Sequence, residues 1–501
     1  MLKYDTVIYN ALIADGTGTE LRAGGIAWKG AKILKVGDVD PNSAEVAIDA
    51  RGQVIAPGFI DVHTHDDINV IQQPEMLPKI SQGVTTVIVG NCGISASPVT
   101  LNTNSLHEQP PDPMHLLGDQ ATFQFDSFDS YAHAVQSARP NVNVAALVGH
   151  ISLRNNVMAD LSKAASADEI QHMRAQLQSA LEQGAMGLST GLAYQNAIGA
   201  PQSEVSALAQ MLAQFDAVYT THLRSEAEQI MQALDEAFST AGEHKLRLVI
   251  SHIKCAGRGN WHNSEAVLTK IIGQSDSQEI ACDCYPYTAS SSSLDLKQVN
   301  AETDIFITWS RSSPEVAGRY LSDIAATWQT SLLSAAERLQ PAGAIYHCMH
   351  EDDVARFLSY SKTMIGSDGI PTDPHPHPRL WGTFARVLGH YVRDKQLITL
   401  PAAIHRMTGL PARQFQLSNR GQLKPGFCAD VVLLDADSVR DCATYTQPTL
   451  PSKGIEAVWV NGTLSYKTGH HIATDVIGRA GKMLKHQFNK KERYNDSALW
   501  G

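Results

Sequence analysis

The chain has 501 residues, of which 43% are hydrophobic and 18% charged, a composition typical of a soluble globular protein with a large domain and an accessory one. Its formal net charge of −11 argues against nucleic acid and anionic membranes as partners, since both require a basic face. Its seven cysteines have no framework spacing and are expected to be reduced thiols.

The first stretch of the chain predicts a small β domain that both chain ends build together. MLKYDTVIYNALIADG has acidic and polar residues inside its apolar run, which predicts neither a signal peptide nor a transmembrane helix and favours a cytoplasmic location. Short β-rich runs and glycine turns follow, and the same pattern returns in GQLKPGFCADVVLLDADS and GIEAVWVNGTLSYKTG. We expect residues 1–56 and 417–475 to form this domain, as a β-sandwich, and residues 476–501 to form a helix and a tail.

Apolar, β-branched runs alternate with helical segments through the middle of the chain. Such alternation predicts a parallel sheet, and eight units predict a (β/α)8 barrel over residues 57–416 whose active site lies at the carboxyl ends of its strands. An open doubly wound sheet is the alternative, but no G-x-G-x-x-G follows an early strand. The eight runs are VIAPGFIDVHTH, GVTTVIVGN, NVAALVGH, GAMGLSTG, AVYTTHL, RLVISHI, EIACDCYP and TMIGSDG.

Two of the intervening helices carry start and stop signals. In SADEIQHMRAQLQSALEQG, Ser166 and Glu169 predict a capping box, a stripe of apolar residues follows at helical spacing, and Gly184 predicts the end. SEAEQIMQALDEAFSTAG repeats this plan, with Ser225 and Glu228 as the box and Gly242 as the end.

Several predicted strands end in side chains that bind metals or transfer protons. Alternation along a strand places the two histidines of the first run on one face, where two neutral imidazoles can hold one metal ion. If the barrel is formed, all of these side chains converge on one mouth, which predicts a metal centre. They are His63, His65, Cys92, His222, His252 and Asp368.

These motifs resemble those of the amidohydrolase superfamily and, within it, of the N-acyl-D-amino-acid deacylases, also called D-aminoacylases. The resemblance covers roughly residues 5–465 and implies a barrel flanked by a β domain. It rests on PGFIDVHTH, GVTTVIVGNCGIS, GLSTGLAY, THLRSE, SHIK, YPYTASSSSL, IGSDGIPTDPHPHPRLWGTF and RGQLKPGFCADVVLLD.

The resemblance also implies the kind of metal centre. Many binuclear amidohydrolases bridge two metals with a carboxylated lysine at the end of the fourth strand, but GLSTGLAY contains no lysine, and Cys92 is the natural replacement. A thiolate with two imidazoles suits Zn²⁺, and three protein ligands leave a position for water. The tight zinc site is therefore expected at Cys92, His222 and His252. His63, His65 and Asp368 are expected to form a second site that is weak or empty.

The implied activity is zinc-dependent hydrolysis of the amide bond of N-acyl-D-amino acids. Zinc lowers the pKa of a bound water, and Asp368 is expected to act as general base and then as general acid. Tyr194 is a candidate partner of the developing oxyanion. Lys254, two residues beyond His252 and expected on the same strand face, is predicted to bind the substrate carboxylate together with Tyr285, Ser291 and Arg379.

The side chain of the substrate is left open by the sequence. Lys297 and Arg311 lie in a lid-like insertion near residues 287–346, and either could meet a side-chain carboxylate. A small-molecule substrate is the expected partner, with the protein a monomer or a small homo-oligomer. The C-x-C of Cys282 and Cys284 is interpreted as a pair of buried free thiols.

A cyclic-amide hydrolase and a catalytically inactive scaffold are the alternatives to the deacylase. A cyclic-amide hydrolase of the hydantoinase or dihydroorotase kind shares the fold, but the missing lysine and the presence of Cys92 disfavour it. A catalytically inactive scaffold is the other alternative, and it should have lost ligands that are all present here.

Overall fold

The computed structural model describes residues 3–469 and 478–487. The strands are β1 Tyr4–Ile13, β2 Arg22–Lys29, β3 Lys32–Gly37, β4 Ala44–Asp49, β5 Val54–Pro57, β6 Phe59–Asp61, β7 Val84–Val89, β8 Val99–Thr100, β9 Gln124–Phe125, β10 Asn143–Ala146, β11 Val148–Gly149, β12 Gly187–Gly191, β13 Val218–His222, β14 Leu248–Ile250, β15 Ile280–Cys284, β16 Ser290–Ser293, β17 Asp304–Ser310, β18 Arg319–Tyr320, β19 Ala342–His347, β20 Thr363–Ile365, β21 Val431–Leu434, β22 Ile455–Val460 and β23 Thr463–Lys467. The α-helices are α1 Asn69–Gln72, α2 Leu77–Ile80, α3 Phe128–Ala138, α4 His150–Val157, α5 Ala167–Gln183, α6 Gln202–Phe215, α7 Ile230–Glu243, α8 Ser264–Gln274, α9 Leu321–Trp328, α10 Leu332–Leu339, α11 Glu351–Ser359, α12 Arg379–Arg386, α13 Leu400–Met407 and α14 Gly409–Gln414.

Strands from both ends of the described chain share one sheet. Its order is β23-β22-β21-β5-β1-β2-β3, and β4 also pairs with β1. The two ends join where β5 and β21 run antiparallel, with Val54 opposite Leu434. Trp28 and Trp459 meet edge to face in the core of this unit, with their ring centroids 5.5 Å apart. The sheet therefore needs residues from both ends of the sequence.

Each of the eight apolar runs contains a strand, and these strands pair in parallel. One sheet has the order β10-β7-β6, and the other has the order β11-β12-β13-β14-β15-β20. Leu147 alone separates β10 from β11, and its N–H donates to the carbonyl of Val89 at 3.0 Å. Beyond β6 and β20, the N–H of Asp368 donates to the carbonyl of His63 at 2.8 Å. The carboxyl ends of the first and last strands thus lie side by side.

The helix α5, which precedes β12, begins and ends as predicted. The Ser166 hydroxyl accepts the N–H of Glu169, and the Glu169 side chain accepts the N–H of Ser166, which is a complete capping box at the start of α5. Gly184 ends the helix in the left-handed conformation with φ of 110°, which a glycine adopts without steric cost.

The second predicted capping box was wrong. The helix α7 begins at Ile230, not after Ser225, and it ends at Glu243, one residue beyond Gly242. Residues 223–229 instead form the loop that follows β13, and the Ser225 hydroxyl accepts the N–H of Ala227 at 3.3 Å. This loop places Glu226 beside the residues at the ends of the strands, and these tertiary contacts, described below, replace the predicted first turn of the helix.

The predicted insertion contains a separate antiparallel sheet. Its order is β16-β19-β17-β18, and α9 and α10 accompany it. It is inserted between β15 and β20, so it follows the carboxyl end of the seventh parallel strand. Its first strand has the sequence SSSS and contributes residues to the site described below.

The described part of the C-terminal segment is extended, so the helix predicted there is not found in residues 478–487. The N–H of Val144 donates to the carbonyl of Lys482 at 2.9 Å, and the N–H of Leu484 donates to the carbonyl of Val144 at 2.7 Å. Pairing with the edge of β10 replaces the hydrogen bonds a helix would make. The rest of the predicted tail and the predicted domain limit at residue 475 lie outside the described residues. Within the described ranges, no helix combines the length and the apolar character needed to cross a membrane.

Candidate functional site

The six predicted metal-binding side chains meet at the carboxyl ends of the parallel strands. Cys92 lies at their centre. Its Sγ is 3.2 Å from His63 Nε2, 3.4 Å from His252 Nε2 and 3.8 Å from His222 Nδ1. Cys92 is 2% exposed, so its thiol is buried and surrounded by imidazole nitrogens. Such a cluster is of the kind that binds a transition metal.

Asp368 joins this cluster on the side of the two histidines that follow β6. Its Oδ1 lies 3.2 Å from His65 Nε2 and 3.5 Å from His63 Nε2. His63, Cys92, His252 and Asp368 place one potential ligand atom each within 4.8 Å of one another. The structure therefore brings the predicted tight site and the predicted second site into one continuous cluster.

Three members of the cluster have left-handed backbones. The φ angles are 54° at Cys92, 33° at His252 and 49° at Asp368, and each residue lies just beyond the end of its strand. This conformation costs about 1 kcal/mol or more for a residue that carries a Cβ, and it persists only where the surroundings enforce it. Strand alternation was therefore the wrong reason for expecting Lys254 beside His252, because β14 already ends at Ile250.

Charges around Cys92 favour the thiolate. Burial alone would raise the pKa of this thiol, but His63 and His252, with a hydrogen bond from His222, hold it well below its ordinary value. Burial works against the charged form of His63 as well, yet Cys92 and Asp283 raise the pKa of that imidazole. The cluster thus stabilises an anionic sulfur, which is the form of cysteine that binds a metal.

Asp283, at the end of β15, is a functional residue that the sequence reasoning missed. One of its carboxylate oxygens lies 3.3 Å from His63 Nδ1, and the same oxygen accepts the N–H of His252 at 2.9 Å. A carboxylate that accepts the Nδ1 proton leaves Nε2 free and orients the ring. The signal in the sequence is the position of this aspartate at the end of the run EIACDCYP, between Cys282 and Cys284.

Glu226, in the loop after β13, was also missed. His222 and His252 each direct one ring nitrogen toward Cys92 and the other toward Glu226, at 3.8 Å from His222 Nε2 and 2.8 Å from His252 Nδ1. The Lys254 ammonium lies 2.6 Å from the same carboxylate. Burial would raise the pKa of Glu226, but Lys254 and the two histidines hold it well below the usual range. Glu226 thus links two metal-ligand candidates to the lysine expected to bind substrate.

We predict that Glu226→Gln weakens both zinc binding and substrate binding. Loss of a carboxylate that orients a ligand histidine costs about 10- to 100-fold in metal affinity. The Lys254 ammonium also loses its partner and its fixed position, so KM should rise. Zinc titration and steady-state kinetics would measure the two effects. Glu228→Gln, an exposed acid in the same loop, is the matched control, and equal behaviour of the two variants would contradict the role of Glu226.

The predicted carboxylate-binding residues lie beside the metal cluster. Arg379 is buried at 1% exposure, its Nη1 is 2.8 Å from Asp368 Oδ2, and its Nη2 donates to the carbonyl of Ser291 at 3.2 Å. Its guanidinium lies over the ring of Tyr285, 4.6 Å from the centroid. Among the described residues, neither the Tyr285 hydroxyl nor Arg379 Nε has a hydrogen-bond partner. Unpaired buried donors of this kind indicate a place for a polar ligand group.

A cavity of about 980 Å³ lies beside the metal cluster, and Lys254, Tyr285 and Ser291 line it. Tyr194 lines it, with its ring centroid 4.9 Å from that of His222, and burial raises the pKa of its hydroxyl well above the ordinary value, so it is a hydrogen-bond donor. Lys297 also lines the cavity, where its Nζ donates to the Gln195 side chain at 3.2 Å. Neither Arg311 nor Arg379 is among the described residues that line it. Four members of the metal cluster, His65, His222, His252 and Asp368, also line it.

Comparison with known proteins places the chain in a family. A family model described as "Amidohydrolase family" matches residues 46–466. The chain is 45% identical to an N-acyl-D-aspartate deacylase and 42% identical to a D-aminoacylase, both from Alcaligenes xylosoxydans xylosoxydans, over 91% and 93% of its length and 91% and 96% of theirs.

Among solved structures, an N-acyl-D-glutamate deacylase from Bordetella bronchiseptica, complexed with zinc and a phosphonate mimic of the tetrahedral intermediate, is 44% identical. It superposes with a TM-score of 0.91, covering 96% of this chain and 100% of that one. These likenesses confirm the resemblance inferred from the motifs. The chain belongs to the amidohydrolase family, within its D-aminoacylase group.

Proposed function

We infer that this protein hydrolyses the amide bond of N-acyl-D-amino acids in a zinc-dependent reaction, which gives a free D-amino acid and a carboxylate. The observation that carries this inference is one cavity lined by His65, His222, His252 and Asp368 of the metal cluster and by Tyr285, whose buried hydroxyl has no hydrogen-bond partner among the described residues. The similar proteins of the D-aminoacylase group are named for deacylation of D-amino acids. Linear amides, not cyclic ones, are therefore the substrates.

The donor atoms of the cluster fit zinc. A thiolate with imidazoles is a soft-to-borderline set, and the buried sulfur of Cys92 is stabilised as an anion by its neighbours. We propose that Cys92, His222 and His252 hold the tight zinc and that His63, His65 and Asp368 form the second site. When bound, zinc supplies Lewis-acid polarisation of the scissile carbonyl and activation of water.

Asp368 is proposed as the group that moves the proton. Its carboxylate borders both the cluster and the cavity, and Arg379 with His63 and His65 keeps its pKa well below the ordinary value in spite of burial. The carboxylate is thus present as a base at neutral pH and can take a proton from the attacking water at Oδ1 or Oδ2. It then returns the proton to the departing amine nitrogen, which leaves poorly without it.

The remaining residues bind and orient the substrate. We propose that Tyr285, Arg379, Lys254 and Ser291 hold the α-carboxylate, because a guanidinium and an ammonium beside two hydroxyls form charge-assisted hydrogen bonds to it. We propose that Tyr194, whose ring lies next to that of His222, donates to the developing oxyanion. A carboxylate fixed on one side and a carbonyl fixed on the other allow one configuration at Cα to react. Of the two cations left open by the sequence, Lys297 is favoured as a partner for an acidic side chain because it lines the cavity.

The architecture proposed for this activity is a closed (β/α)8 barrel over residues 57–416. Support comes from the contact between the first and last parallel strands, where His65 donates its N–H to the carbonyl of Gly369 at 3.2 Å. We propose that residues 1–56 and 417–475 form the β-sandwich domain and that residues 287–346 act as a lid, because their sheet contributes Ser291 to the cavity wall.

A panel of substrates tests the assignment. N-acetyl and N-formyl amino acids in both configurations, their α-amides, hydantoin and dihydroorotate should be offered to the zinc-loaded protein. We expect turnover of D-configured N-acyl amino acids and none of the α-amides, since the cationic wall requires a free carboxylate. Equal hydrolysis of D and L substrates, or a preference for the cyclic amides, would contradict the deacylase function.

A further inference from the structure

A fully buried lysine lies behind the metal cluster. Lys79 belongs to α2 and is 0% exposed. Its Nζ is 2.9 Å from Asp61 Oδ2, 3.1 Å from Asp66 Oδ2 and 2.7 Å from Ser367 Oγ. The ammonium group thus has three oxygen partners, which equals its number of N–H donors. A buried ammonium is costly unless it is paired in this way, and the deacylase chemistry proposed above does not use it.

The partners of Lys79 hold the turn that carries Asp368. The Asp61 carboxylate accepts the N–H of Ser367 at 2.8 Å. The Ser367 hydroxyl oxygen accepts a hydrogen bond from the Lys79 ammonium. The same oxygen also accepts the N–H of Gly369 at 3.2 Å. The residues on both sides of Asp368 are therefore anchored to one buried ion cluster.

This anchoring bears on the left-handed backbone of Asp368, whose φ is 49°. Such a conformation needs surrounding contacts to persist. The same cluster also reaches the other side of the site, because Asp61 Oδ1 lies 3.4 Å from the N–H of His63, and the His63 carbonyl accepts the N–H of Asp368. The backbones of the base and of a ligand histidine are thus held by the same carboxylate.

We propose that Lys79, acting with Asp61 through Ser367, is a positioning residue that fixes the Asp368 carboxylate for proton transfer. The proposal rests on the function inferred above for Asp368. It predicts an effect on the rate of the chemical step, not on the binding of substrate or of zinc, because Lys79 and Ser367 do not line the cavity. A displacement of the base by about 1 Å is sufficient to cost about 100-fold in rate.

Ser367→Ala is the most direct test. It removes the oxygen that joins Lys79 to the turn and leaves the Lys79, Asp61 and Asp66 ion cluster intact. We expect kcat to fall by about 10-fold or more, with KM within about twofold and the zinc content unchanged. Lys79→Met should lower kcat further, but it leaves buried carboxylates unpaired and could prevent folding, so Ser367→Ala carries the test.

A double-mutant cycle with Asp368→Asn separates positioning from general stability. If Ser367 acts through Asp368, its removal costs nothing more once the base is gone, so the two effects should not add. Ser81→Ala is the matched control, because it removes another fully buried hydroxyl, at the end of α2, that has no hydrogen-bond partner among the described residues, and it should keep near-normal kcat. Additive losses in the cycle, or a rise in KM with unchanged kcat in Ser367→Ala, would overturn the proposal. If no N-acyl-D-amino acid is hydrolysed by the unchanged protein, the proposed function itself is wrong.

Discussion

Asp368→Asn is expected to keep its zinc and to lose about 10³-fold or more in kcat, within the range that a positioned general acid and base contributes. Asparagine has nearly the same shape, and its single side-chain oxygen can still accept a hydrogen bond from either His65 or Arg379. It cannot take the proton from water or return one to the leaving amine. The loss should therefore fall on kcat and much less on zinc content, which metal analysis of the same preparation would measure.

The matched control for this substitution is Asp352→Asn, because Asp352 is 70% exposed at the start of α11 and does not line the cavity. It should behave as the unchanged protein does. Near-normal turnover of Asp368→Asn would show that another group is the base. Loss of the tight zinc together with the activity would instead identify Asp368 as an essential ligand of that ion.

Cys92→Ala is expected to abolish tight zinc binding and, with it, activity at ordinary zinc concentrations. The Cys92 sulfur is the atom that His63, His222 and His252 approach from three sides, so its removal takes the central donor from the cluster. It also leaves three imidazoles facing one another without an anion between them. Elemental analysis should show far less than one zinc per chain, and activity should return only partially when zinc is supplied in excess.

Cys284→Ala is the control for a general effect of losing a buried thiol. Cys284 ends β15 and is 4% exposed, but its sulfur donates to the carbonyl of Tyr285 and contacts no ligand candidate among the described residues. It should retain zinc. An undiminished zinc content in Cys92→Ala would remove the proposed tight site, and the histidines with Asp368 would then be the alternative set.

The parts of the fold that depend on local pattern could be predicted from the sequence. Eight apolar runs marked the segments that contain the parallel strands, and the Ser166 box and Gly184 marked the two ends of α5. The six ligand candidates could be predicted because each one follows a recognisable run. Their convergence then followed from the rule that active sites of parallel barrels form at the carboxyl ends of the strands.

The residues that support the site could not be found in the same way, because their roles depend on contacts between distant parts of the chain. Lys79 meets Ser367 across 288 positions, and Asp283 meets His63 across 220. Glu226 illustrates the conflict directly. The local pattern around it predicts a capping box, but residues 223–229 form a loop in which Glu226 pairs with Lys254, and the helix begins at Ile230. Tertiary contacts override a local pattern where a functional site requires it.

The sheet shared by both ends of the chain has a consequence for the order of folding during synthesis. The ribosome produces β1 to β5 first, but their partner β21 begins at Val431, after the whole set of parallel strands has emerged. Domains generally fold as units as the chain appears. The N-terminal part of the sheet therefore remains incomplete, with the edge of β5 unpaired, while several hundred residues are added. We expect this nascent stage, not the finished protein, to be the one most exposed to aggregation and most dependent on chaperones.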